Sequence, residues 1–173
     1  LLSRRQRQMC IRDRSNTISA GTFIALDSIV REYKLRQLLD DAFGRDAGFI
    51  LDLAAYMIVS EDNAAQYYPD YARRHPLFTE GMSVKSDSSV SRLLSRMGRD
   101  QITAFLDAWN ARQDHRHRIY ISYDSTNKNS QAGELDLVEF GHPKTDMGLP
   151  IFNLSLAFDR TNQIPLFYEL YPG

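Results

Sequence analysis

The stretch Ile119–Asn127, IYISYDSTN, decides the architecture of the chain's second half. Ile119, Ile121 and Tyr123 alternate with Tyr120, Ser122, Asp124 and Thr126. Successive strand residues point to opposite faces, so this period of two predicts a strand with one apolar face and one face carrying a carboxylate between two hydroxyls. Leu149–Phe158 and Ile164–Tyr171 read as two further strands, joined by the polar connection Asp159–Gln163, short enough for a hairpin. Pro165 has no N–H to give to a ladder, which places it on an edge strand or among the first residues of its strand. The polar, glycine-bearing segment 127–148 separates the first two strands, with a short structured piece expected at Leu135–Phe140.

Upstream of this segment the period lengthens. From Thr22 to about Gln113, apolar residues recur at spacings of three and four, the signature of amphipathic helices. Phe49, Leu53, Tyr56, Met57 and Ser60 form one face of a helix expected after Gly44 and ending near Glu61. Val90, Leu93, Leu94 and Met97 form another, with Asp87 as N-cap and Gly98 as the stop. Ile102, Phe105, Leu106 and Trp109 repeat the stripe after Asp100, so the last two helices are expected as a tight hairpin joined at Gly98 and Arg99. Weaker helical patterns cover Phe23–Tyr33, Leu35–Phe43 and Gln66–Arg74. Helices followed by sequential strands predict an α+β fold.

Composition narrows the function classes. The 173 residues are 43% hydrophobic and 25% charged, which is ordinary for a globular protein and excludes disorder as the default. Lys and Arg total 21 against 22 Asp and Glu, a net charge of -1, so any nucleic-acid surface must be local. The single cysteine, Cys10, excludes an internal disulfide framework, and no apolar run is long enough to span a bilayer. These features predict a cytoplasmic protein with no membrane partner. Residues 1–14, LLSRRQRQMCIRDR, are basic and aperiodic, and resemble the translation of sequencing-adapter DNA. The region 15–115 is then a helical region and 116–173 a separate domain.

Three strings carry a family resemblance: YISYDSTN (Tyr120–Asn127), EFGHPK (Glu139–Lys144) and LPIFNLSLAFDRTNQIPLFYELYPG (Leu149–Gly173). Together they resemble the start of the catalytic domain of DDE-type transposases of bacterial insertion sequences. The upstream SDSSVSRLLSRM and AFLDAWN resemble the helical region that precedes it. The resemblance implies a ribonuclease H-like fold opening with three antiparallel strands, the first bearing a catalytic Asp, which is Asp124 by position. It implies two Mg²⁺ (or Mn²⁺) ions held by three carboxylates, clamping the attacking and leaving oxygens of a phosphodiester. Its second Asp and its Glu are expected past Gly173. Asp159 in the hairpin connection and Glu169 on the third strand do not match those positions, so the chain as given is expected to be an inactive fragment. The implied partners are double-stranded DNA, as transposon ends and target, and further copies of the chain.

The candidate metal-binding and catalytic residue is therefore Asp124. An isolated strand Asp more often bonds nearby backbone amides, and it is the surrounding strings that favour the metal role. Candidate DNA contacts are Arg92, Arg96 and Arg99, which recur at helical spacing, Arg116 and Arg118 just before the first strand, and His142 and Lys144 in the Gly-His-Pro-Lys string. For the first three an ordinary charged helix face is the favoured reading, with a helix-turn-helix-like DNA contact as the alternative. Ser125 and Thr126 have no neighbouring base in the sequence to make a nucleophile. Two other readings stand beside the transposase: a ribonuclease H-like nuclease, and a non-catalytic helical DNA-binding or oligomerisation module.

Overall fold

The computed structural model describes residues 18–113, 120–130, 136–140 and 148–173. Helices are followed by one three-stranded antiparallel sheet, a mixed α+β arrangement. The helices are α1 (Gly21–Glu32), α2 (Leu35–Phe43), α3 (Ala47–Ser60), α4 (Tyr68–Ala72), α5 (Asp87–Arg96) and α6 (Arg99–Ala111). The strands are β1 (Ile121–Asn129), β2 (Ile151–Asp159) and β3 (Ile164–Pro172). The chain divides into two compact units, Leu1–Phe105 and Leu106–Gly173.

The core of the first unit is aromatic. Tyr56, Tyr68, Tyr71 and Phe49 are buried with Val90 and Leu93, and Tyr68 is completely enclosed. Its ring lies 5.5 Å from Phe49 and 5.9 Å, edge on, from Tyr56, the offset geometries that aromatic quadrupoles favour. A second cluster gathers Val30, Leu39, Ala47 and Leu51. The buried face of α3 is centred on Phe49, Leu51, Asp52, Ala55 and Tyr56, so the expected stripe is corrected at three positions: Met57 and Ser60 are exposed and Leu51 is buried. Asp52 is the buried charge on this face, and its carboxylate accepts from the amides of Phe78 (2.5 Å) and Thr79 (3.1 Å). Burial pushes its pKa up despite those bonds and the nearby Arg36 guanidinium. At Gly48, an added Cβ would meet the Phe78 carbonyl oxygen at 2.8 Å, so this helix approaches the 78–79 segment too closely for a side chain.

Helix caps differ from expectation by a residue or two. Ser86, not Asp87, caps α5, its Oγ accepting from the Ser89 amide at 3.3 Å. Gly98 rather than Asp100 precedes the first turn of α6, and Gln101 reaches back to the Gly98 N–H at 3.0 Å, one half of a capping box. The connector Met97 is extended, and α6 runs on from it toward α2: Gln101 donates to the Ala42 carbonyl and the Phe105 ring lies 6.4 Å from Phe43. Leu94, expected in the buried stripe, is exposed.

In the second unit β2 is central, with β1 and β3 as the two edges. The hairpin turn is built by Asp159, buried, which accepts from the Thr161 and Asn162 amides, while Gln163 takes the left-handed conformation that closes the turn. Pro165 sits on edge strand β3 beside a bulge between Ala157 and Phe158. A bulge disrupts the ladder, and here side chains supply the donors: Trp109 Nε1 donates to the Pro165 carbonyl (2.7 Å) and Asn110 Nδ2 to Leu166 (3.0 Å). Glu139 forms a bridge with Ile151, so the expected short structured piece exists at that residue. The apolar face of β1 is not a buried one. Ile121 and Tyr123 are more than half exposed, because an edge strand paired on one side lends its apolar residues little cover. Ile119 lies outside the described residues.

Candidate functional site

Asp124 occupies the middle of β1, opposite Leu156 on β2, which in turn is opposite Tyr168 on β3. Residues paired across a ladder share a face. Ser122, Asp124 and Thr126 therefore stand on the same side of the sheet as Leu154, Leu156, Tyr168 and Leu170. That side holds an open concavity of about 440 Å³ lined by Ser122, Asp124, Ser125, Thr126, three β2 side chains and Arg160. The alternation read from the sequence thus correctly groups Asp124 with the two hydroxyls. Its Oδ1 accepts from the neighbouring Ser125 amide at 2.8 Å, and Oδ2 has no partner among the described residues. Arg160, a lining cation that the sequence did not single out, begins the hairpin turn and is anchored by its own backbone, whose N–H donates to the Tyr120 carbonyl at 2.9 Å.

The donor set is hard oxygen: one carboxylate and nearby hydroxyls. Mg²⁺ demands six well-placed oxygens and gives up water reluctantly, so a single carboxylate supplies one ligand and does not hold an ion by itself. Among the described residues no group of three His, Cys, Asp or Glu side chains converges on such a site.

The basic candidates separate. Arg92 and Arg96 share a second concavity, of about 550 Å³, within the helical unit, together with Arg36, Arg45 and Lys85. Arg96 makes a two-pronged pair with Asp46 at 2.6 and 3.1 Å, and Arg92 Nη2 donates to Ser89 Oγ at 3.0 Å. Arg99 does not join them. Helix α5 ends at Arg96, so the spacing that aligned Arg92, Arg96 and Arg99 on one face is interrupted at Met97 and Gly98. Arg116, Arg118, His142 and Lys144 lie outside the described residues. Arg36 and Arg45 carried no sequence signal, because they reach this concavity from segments roughly fifty residues upstream that only the tertiary fold brings near α5. No helix among the described residues is long and apolar enough to cross a membrane.

Comparison of the chain with protein-family models, with curated proteins and with solved structures found no match.

Proposed function

We propose that this chain carries the opening strands of the catalytic domain of a DDE-type DNA transposase, preceded by a helical region for DNA binding and self-association. One observation supports this above the others: an exposed Asp sits at the centre of the first of three sequential antiparallel strands, one carboxylate oxygen without a partner among the described residues. Asp52, buried in the helical unit, spends both oxygens on backbone amides, whereas exposed Asp124 gives one to the Ser125 amide. In the active enzyme Asp124 would be one of three carboxylates holding two Mg²⁺ or Mn²⁺ ions, the other two lying outside these three strands. The bound ions would supply neutralisation of charge at the attacking and leaving oxygens of the phosphodiester. The substrates would be transposon-end and target duplexes.

The test is metal-dependent cleavage of a transposon-end duplex by the full-length protein, with Asp124→Asn alongside. Cleavage abolished in the variant supports the assignment, and equal cleavage in both overturns it. A second reading, a non-catalytic DNA-binding or association module, is favoured by the contrast between the single carboxylate lining the sheet concavity and the five cations lining the concavity of the helical unit. Duplex binding without cleavage by either protein is the result it expects.

A further inference from the structure

The cation cluster in the helical unit has a structure of its own. Arg36 comes from α2, Arg45 from the short 3₁₀ turn Gly44–Asp46, Lys85 from the residues before α5, and Arg92 and Arg96 from α5 itself. Five cations face two carboxylates, Asp46 and Glu80, around one concavity, in a chain whose net charge is -1. Two of the five are held by carboxylates. Arg96 is clamped by Asp46, and Arg36 by Asp40 and by the Phe78 carbonyl, to which its Nη1 donates at 3.0 Å. Among the described residues no carboxylate lies within 4.0 Å of Arg45, Lys85 or Arg92. With five cations against two carboxylates, the concavity is locally positive, which favours an arriving anion.

We propose that this concavity binds the phosphodiester backbone of duplex DNA, with Arg45, Lys85 and Arg92 contacting phosphate oxygens and Arg36 and Arg96 held as its fixed walls. The inference rests on the DNA-binding part of the function proposed above, and gives it a location and a mode. A volume of about 550 Å³ exceeds what one phosphate fills, and duplex DNA presents roughly one charge per 1.7 Å of axis, so successive phosphates can meet several of these cations together. The one aromatic residue in the lining, Phe49, is buried and offers no exposed ring for a base to stack on. The contacts are therefore with the backbone and independent of sequence.

Binding of a fluorescein-labelled duplex by the full chain, followed by anisotropy in metal-free buffer across a salt titration, tests this. Arg45→Ala with Lys85→Ala is compared with Arg31→Ala with Arg73→Ala, which removes equal charge from surface ion pairs of the same unit outside the concavity. The first pair is expected to weaken binding about tenfold or more at low salt and to flatten the slope of log K against log salt by about 2, close to 0.9 per lost phosphate contact. The control pair is expected to change affinity less than about twofold and to leave the slope alone. Circular dichroism melts confirm that both fold. If the two double variants match each other while wild type binds, the concavity is overturned and the DNA-binding reading survives. If the slope flattens as expected while Asp124→Asn cleaves like wild type, the catalytic reading fails and this site stands. If wild type binds no duplex at low salt, both fall.

Discussion

The two units are stabilised by different means. In the helical unit, rings interlock: Tyr68 is enclosed by Phe49 and Tyr56, and Tyr71 stands 5.5 Å from Tyr56. In the sheet unit, backbone ladders and a few side-chain bonds hold three strands together, while Leu156, Tyr168 and Leu170 on the Asp124 face are 41%, 36% and 43% exposed. A three-stranded sheet needs an apolar face packed against something for stability of its own, and here apolar residues of the Asp124 face are exposed, as are Ile121 and Tyr123 on the other. Stability is thus concentrated in side-chain packing in one unit and in backbone pairing in the other. Substitutions should register that difference.

The largest expected effect separates the two directly. Tyr68→Ala empties a fully enclosed aromatic site and should cost about 3–5 kcal/mol in urea denaturation, whereas Leu156→Ala on the open face should cost under about 1 kcal/mol. Comparable losses would mean that the Leu156 face is covered in solution, and the contrast would collapse. Asp52 should come next. Asp52→Ala orphans the Phe78 and Thr79 amides inside the helical unit, at a cost of about 2–3 kcal/mol. Its pH dependence has a definite sign. The folded-state pKa is raised above its ordinary 3.8, so the folded protein holds the proton more tightly, and this residue's contribution falls as pH climbs from 3.8 to the raised value. The stability of wild type relative to Asp52→Asn should therefore be highest in acid and decline through that window; a difference that rises with pH would show that the two amide bonds outweigh burial.

The same division explains what could be read in the sequence. Periodicity located every helix and strand described, because amphipathic patterns are local. The grouping of Asp124 with Ser122 and Thr126 followed from the two-residue period alone. What was lost is non-local. Met57 and Leu51 exchanged roles because the direction from which neighbours approach α3 is set by segments such as Phe78–Thr79, distant in the chain. Ile121 and Tyr123 looked like an inner face, but alternation does not reveal that their strand is an edge. Arg99 was grouped with Arg92 and Arg96 by spacing alone, although it lies past the stop at Gly98 and begins the next helix. The cap at Ser86 was hidden by a run of equally good capping residues, Ser86 to Ser89.

A smaller effect sharpens the picture of the sheet unit. Trp109→Phe keeps most of the ring and deletes the Nε1–H donated to the Pro165 carbonyl at the bulge, which should cost about 1–2 kcal/mol. Hydrogen exchange should localise the loss to β3 and its pairing with β2, leaving the amides of α3 as protected as before. Faster exchange in α3 would show that the units do not lose structure independently.

The smallest expected effect bears most on function. Asp124 is exposed, and the one side-chain bond it makes among the described residues, to the Ser125 amide, joins it to the adjacent residue of its own strand. Asn at this position retains an oxygen able to accept that bond, so Asp124→Asn should change stability by no more than about 0.5 kcal/mol. A residue whose removal costs the fold so little is not there for packing, and any loss of cleavage in the variant can then be assigned to chemistry rather than to unfolding. The urea midpoint decides it. A loss above about 1 kcal/mol would make Asp124 a structural strand residue like its neighbours, and would remove the feature that distinguishes the open face of the sheet from ordinary exposed surface.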